Sequence, residues 1–371
     1  MIEARTFIEQ LNLFCPPYLG EEGDPNGLHL GTLDKKIGRV MMTLDVRPEV
    51  VAEAIEKKVD LLIAKHPPIF RPIERLATND PQIKMYADLL KHDIAVFACH
   101  TNMDIMEPGL NDWLAEKLGV QVDDFLAETH RFPYQKLAVF VPAPNADHIR
   151  EVLQQAGAGR LGDYTGASFS AEGTGRFRPE KGAHPAIGKI GKLEEVIEEK
   201  VEVVFPKTLA SKIVEAMLAA HPYEEPAYDL YDLSAPEKVY GIGRVGMLKK
   251  ALPLERFVAQ VKEAFRLDGL RLIAEDPQKM IQRVAICGGS GGKLYPAAVL
   301  KGADVYITGD VYYHTGHDML AHHLPVIDPG HYIEELCKEK FVEEFEKWKQ
   351  KYAWDCEFMI SETNTNPFRF Y

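Results

Sequence analysis

The chain has 371 residues, of which 46% are hydrophobic and 27% charged, with a formal net charge of -13. The length exceeds one ordinary domain, the composition is that of a globular protein with ample core, and the acidic balance argues against non-specific nucleic-acid binding, which needs a basic face. Five cysteines without Cys-x-x-Cys spacing suggest neither a disulfide framework nor a zinc ribbon, and the absence of a leader pattern or an apolar run near about 18 residues leads us to expect a cytoplasmic protein with no membrane span.

In chain order, Arg39 to Asp45 reads as a strand, Pro48 to Lys57 as a helix, Val59 to Ala64 as a strand, Pro81 to Lys91 as a helix and Ile94 to Cys99 as a strand. From Pro133 to Ser234 the pattern changes. A strand at Lys136 to Val141, a helix at Ala146 to Gln155, glycine-punctuated strand material from Gly162 to Gly191, a strand at Glu198 to Phe205, a helix at Lys207 to Ala220 and a strand near Ala227 to Leu233 give the ferredoxin-like order β-α-β-β-α-β. The first plan then returns, with strands at Arg283 to Cys287, Ala303 to Thr308 and Leu324 to Asp328 separated by helices at Lys293 to Lys301 and Gly316 to His322. The expected architecture is therefore α/β. Two related α/β lobes, 1–132 and 235–371, face each other across a cleft, and a ferredoxin-like α+β domain, 133–234, is inserted between them.

Two segments follow corresponding strands of the lobes and place a histidine four residues before a carboxylate: His100 with Asp104, and His331 with Glu335. If each opens a helix, the pairs share a face and can converge on one ion, and imidazole with carboxylate suits zinc, iron or manganese better than calcium or magnesium. Lys65-His66-Pro67-Pro68 leaves His66 at a third strand end, where ligands gather in open α/β sheets. Gly288-Gly289-Ser290-Gly291-Gly292 joins a strand to a helix, either as a phosphate cradle or as a tight turn needing positive φ. His314, His317, His322 and His323 are dispersed around a helix and suit surface or supporting roles, and His221 sits at the negative end of a helix. The glycines of Gly241-Ile-Gly-Arg-Val-Gly246 lack the following helix of a dinucleotide fingerprint.

These residues, with Asn26-Gly-Leu-His-Leu-Gly31, Thr308-Gly-Asp310 and Asn366-Pro-Phe368, resemble the Nif-three-like dinuclear metal-centre family over essentially the whole chain. Many of its members carry the name GTP cyclohydrolase I type 2 homologue. His221-Pro-Tyr-Glu-Glu-Pro-Ala-Tyr-Asp229 looks like the signature of the PII/CutA-like insertion of its longer members. The resemblance implies two divalent ions, with His66, Asp104, His331 and Glu335 as ligands, Glu335 bridging and His100 close by as a proton relay. The family has a histidine where this chain has Lys65, so one ion is expected to be weakened or replaced by the lysine charge, which would help hold a developing anion. The implied activity is metal-dependent hydrolysis of a nucleotide or related phosphorylated compound, of the GTP cyclohydrolase type, with the glycine loop seating a phosphate. The other reading is a non-catalytic metal-binding regulator or scaffold. A homo-oligomer, specifically a hexamer, is expected under both.

Overall fold

The computed structural model describes residues 1–162 and 164–370. The chain forms two compact units, one of Met1–Thr129 with Tyr240–Tyr371 and one of His130–Val239, so the first and last thirds pack as one body.

In the larger unit, one sheet runs in the order Glu357–Ile360, Arg39–Thr43, Leu61–Ala64, Ala95–Ala98 and Gly27–Leu30. The first four strands are parallel and the last is antiparallel. Leu61–Ala64 and Ala95–Ala98 are buried at every position, as a parallel sheet covered on both faces requires. The strand Glu357–Ile360, the last of the chain, pairs with Arg39–Thr43 across more than 300 residues of sequence. It is anchored by Phe358, whose ring packs 5.7 Å from Phe7 and 5.4 Å from Phe345 of the helix Leu336–Tyr352.

The same unit holds a second set of strands, in the order Arg271–Ile273, Val326–Asp328, Val305–Ile307, Met280–Ile286 and the Arg244–Pro253 end of a longer strand. The central pairs are parallel and the outer ones antiparallel. Both lobes therefore deliver strand carboxyl ends to a shared cleft, which is where the sequence places its histidines. The glycines of the Gly241 to Gly246 segment serve close backbone approach within a strand, because a Cβ at Gly246 would stand 2.2 Å from the Gln121 carbonyl oxygen. Arg244 in that segment is buried, and its guanidinium donates to both oxygens of Asp112, at 2.6 and 2.7 Å, and to the Gly241, Gly243 and Met106 carbonyls.

The smaller unit has the β-α-β-β-α-β order expected of a ferredoxin-like domain, with the strand Glu194–Pro206 antiparallel to both Tyr134–Pro142 and Ser168–Phe177. Leu137, Val139, Val141, Val201, Val203 and Phe205 alternate along two strands onto one face, where Ile149, Leu153, Ile213 and Met217 of the two helices cover them. Among the described residues, no helix is long and apolar enough to cross a membrane.

Candidate metal centre

His66 follows the strand Leu61–Ala64 and stays in sheet register, its amide donating to the Leu44 carbonyl, before Pro67 and Pro68 end the pairing. His331 follows the strand Val326–Asp328 across Gly330, whose φ of +83° lies in the region glycine tolerates. The two imidazoles, one from each lobe, bring their Nε2 atoms to 3.2 Å of each other. Glu334 completes the cluster, its Oε2 standing 3.0 Å from His66 Nε2 and 3.2 Å from His331 Nε2. Among the described residues, His66, His331 and Glu334 form the group that could hold a metal ion.

The opposite ring nitrogens are also held. His66 Nδ1 lies 2.7 Å from Asp45 Oδ1, and His331 Nδ1 lies 2.7 Å from Asp310 Oδ2. A carboxylate at Nδ1 fixes the tautomer with its lone pair on Nε2 and makes that nitrogen a stronger donor to a metal. Asp45 is further bonded by Thr365, and Asp310 by Ser290 at 2.6 Å. Without an ion the site is electrostatically tight. Burial works against a charged His331, yet Glu334 and Asp310 outweigh it and raise its pKa to about 9; His66 is also raised, against its burial, by Asp45 and Glu334.

Beneath the histidines lies a buried ion cluster. Lys65, with a 2% exposed side chain, sets its Nζ 2.9 Å from Asp104 Oδ2 and 3.9 Å from Glu334 Oε2. It also donates to the His100 carbonyl at 3.3 Å. Burial alone would discharge this amine, but the two carboxylates outweigh it and raise its pKa. The other oxygen of Asp104, Oδ1, is buried without a hydrogen-bond partner. Two imidazole nitrogens and a buried glutamate oxygen within reach of one another are a donor set that fits a divalent ion of the zinc, iron or manganese type, which would displace the proton of His331.

The helical register differs from the four-residue expectation in one place. His331–Glu335 is a 3-10 helix, in which side chains three apart eclipse, so Glu334 and not Glu335 faces His331. The Glu335 side chain is 44% exposed and pairs with Lys338 at 3.3 Å. His100 and Asp104 have separate hydrogen-bond partners, Asp24 and Lys65. His100 precedes the helix Thr101–Ile105, and its Nδ1 is bonded by Asp24, whose pKa falls to about 2 because His100 and Thr101 outweigh its burial. Its ring nevertheless stands 6.0 Å from that of His66. Asp24, Asp45 and Asp310 orient the three histidines; Asp24 and Asp45 carry no spacing signal of their own, and Asp310 shows in the sequence only as the end of Thr308-Gly-Asp310.

A family model described as DUF34/NIF3 (NGG1p interacting factor 3) matches residues 2–367. The chain belongs to this family. It is 44% identical over 369 residues to a Bacillus subtilis (strain 168) protein named GTP cyclohydrolase 1 type 2 homolog, covering 100% of this chain and 99% of the other. A Listeria monocytogenes protein of the same name is 47% identical over 357 residues, covering 96% of this chain and 95% of the other. The crystal structure of a Bacillus cereus protein related to NIF3 superposes with a TM-score of 0.93 at 38% identity, covering 99% of each chain.

In this NIF3-family chain the glycine loop is built for closeness. Gly288 donates its amide to Asn111 Oδ1 and Gly291 donates to Thr308 Oγ1, both at 2.9 Å, so those two amides are engaged within the protein. Gly289 has a φ of +63°, and a Cβ there would stand 2.9 Å from Glu334 Oε1, so the loop lets backbone lie against the cluster. His66 and His331 line a cavity of about 970 Å³ in the same unit. Arg47, Arg266, Arg271 and Arg369 also line it. Arg271 is paired with Asp328, and Arg369 donates to the Asn366 and Phe368 carbonyls. Among the described residues Arg47 and Arg266 make no ion pair. His314, His317, His322 and His323 lie on or just after the helix Tyr313–Ala321, outside this cavity lining.

Proposed function

We propose that the protein is a metal-dependent hydrolase of a nucleotide or related phosphorylated compound, with the ring opening of GTP as the first reaction to test. The observation that carries this reading is the placement of His66 and His331, backed by Glu334, in the wall of a large cavity that also presents the uncommitted cations Arg47 and Arg266. The names of the Bacillus subtilis and Listeria monocytogenes relatives point to GTP in particular. His66, His331 and Glu334 would hold a divalent ion, which would supply Lewis acidity and lower the pKa of bound water.

The chain's own residues do the rest. Arg47 and Arg266 seat the phosphates, since guanidinium forks match phosphate oxygens. Lys65, buried beneath the site, offsets the negative charge of Asp104 and Glu334 and so limits their repulsion of a developing anion. His100, its Nδ1 oriented by Asp24, keeps Nε2 for proton transfer. The same reading takes zinc as the resident ion and a cytoplasmic homohexamer as the working form, the latter checked by light scattering.

Incubation of purified protein with GTP and a divalent metal, with formate followed by NMR, tests the proposal. Formate release that disappears in His331→Ala is the expected result. Turnover of another nucleotide without formate would move the substrate assignment, and saturable nucleotide binding with no turnover of any kind would make this a binding protein.

A further inference from the structure

The smaller unit holds a second cavity, of about 650 Å³, which the proposed hydrolase does not use. It lies on the sheet face opposite the two helices. Strand alternation sends Leu137, Val139, Val201 and Val203 to the helices, and therefore sends Phe140, Glu198 and Lys200 to the other side, in the register Phe140 opposite Lys200 and Gly173 opposite Glu198. The volume is within the roughly 300–1,000 Å³ of small-molecule sites. Its walls include the rings of Phe140, Phe177 and Tyr223.

One side chain gives the cavity its chemistry. Glu198 is 8% exposed and lines the cavity, yet among the described residues it makes no ion pair. Its Oε1 accepts from the Tyr223 hydroxyl at 3.0 Å. Among the described residues no donor reaches its Oε2, which is given room by Gly175, where a Cβ would stand 2.2 Å away. The two lining cations are already committed, Lys200 to Glu202 at 2.6 Å and Arg176 to Glu195 at 2.9 Å.

The His221-Pro-Tyr-Glu-Glu segment builds this arrangement. His221 Nε2 donates to the Phe140 carbonyl and its Nδ1 accepts the Tyr223 amide, each at 3.0 Å, which fixes a neutral tautomer. The imidazole packs tilted against the Tyr223 ring, centroids 5.2 Å apart, and Phe177 meets that ring edge-on at 5.6 Å. A histidine used in this way is a brace that holds Tyr223 against Glu198.

We propose that this cavity binds a small organic amine with an apolar or aromatic body, its ammonium on Glu198 Oε2 and its body among Phe140, Phe177 and Tyr223. A buried carboxylate lacking a cation inside aromatic walls favours that class through ion pairing and cation-π attraction together.

Benzylamine and its neutral near-isostere benzyl alcohol, titrated into the full-length protein by calorimetry and ligand-observed NMR, form the test. The expected result is benzylamine binding at least about tenfold tighter than benzyl alcohol, with the discrimination lost in Glu198→Gln, which keeps the acceptor for Tyr223. Equal binding of the two probes to the unmodified protein overturns the proposal without any variant. So does binding of neither at tens of millimolar, or discrimination that survives in a folded Glu198→Gln.

Discussion

Replacing Glu334 and Glu335 separately by glutamine asks which of two adjacent carboxylates belongs to the centre. Glu334 is 2% exposed and its Oε2 is within 4 Å of Lys65, His66 and His331. Removing one partner of a buried ion pair costs about 3–5 kcal/mol, and because Lys65 keeps Asp104 at 2.9 Å we expect the lower part of that range for Glu334→Gln in metal-free protein. Losing a direct ligand should weaken divalent-metal affinity by more than the roughly 10–100-fold that supporting residues command. Glu335→Gln removes only a partly exposed pair with Lys338, so its stability should change by less than about 1 kcal/mol and its metal affinity hardly at all. Urea denaturation after chelation gives the first quantity, and zinc competition against a chromophoric chelator gives the second. If Glu335→Gln lost the metal and Glu334→Gln kept it, the 3-10 register at His331 would be wrong, and the argument from eclipsed side chains with it.

Three further outcomes follow from the site. Lys65→Met leaves Asp104 and Glu334 buried without their cation, so the metal-free variant should melt well below the parent while saturating zinc recovers a larger share of stability than in the parent, both read by calorimetry. In metal-free protein, the Glu334 and Asp310 carboxylates hold the His331 pKa at about 9 against the ordinary 6.5 of histidine, so its stabilisation is fully present below about pH 6.5 and is lost as pH rises through 9; His331→Gln should flatten that part of the stability profile. The same proton competes with a metal, so apparent zinc affinity should rise over this window. Asp310→Asn leaves His331 Nδ1 without its carboxylate and should reduce zinc affinity about 10–100-fold, with little change in far-UV circular dichroism.

Much of this architecture is legible in the sequence because its signals are local. The strands around residues 39–43, 61–64 and 95–98 show as short apolar runs between helical segments, and the rule that ligands gather at strand carboxyl ends singles out His66 and His331, which the structure brings to 3.2 Å. The choice between Glu334 and Glu335 depends on whether one turn winds with 3.0 or 3.6 residues, and both glutamates fit the sequence equally well. Asp45 and Asp310 look like ordinary strand-end aspartates until tertiary packing sets them against imidazoles. Glu357–Ile360 is four residues long and takes its place from pairing with a strand more than 300 positions away, which no window of neighbouring residues encodes.

That last strand also imposes an order of events during synthesis. Arg39–Thr43 keeps one edge unpaired until residues 357–360 have left the ribosome, and Asp45, which steers His66, receives its Thr365 hydroxyl later still. Until that strand arrives the nascent chain carries an open edge of parallel sheet, the kind of exposure that invites chaperone capture. A chain clipped before residue 357 would be left with that edge bare, and Asp45 would lose its Thr365 partner as well.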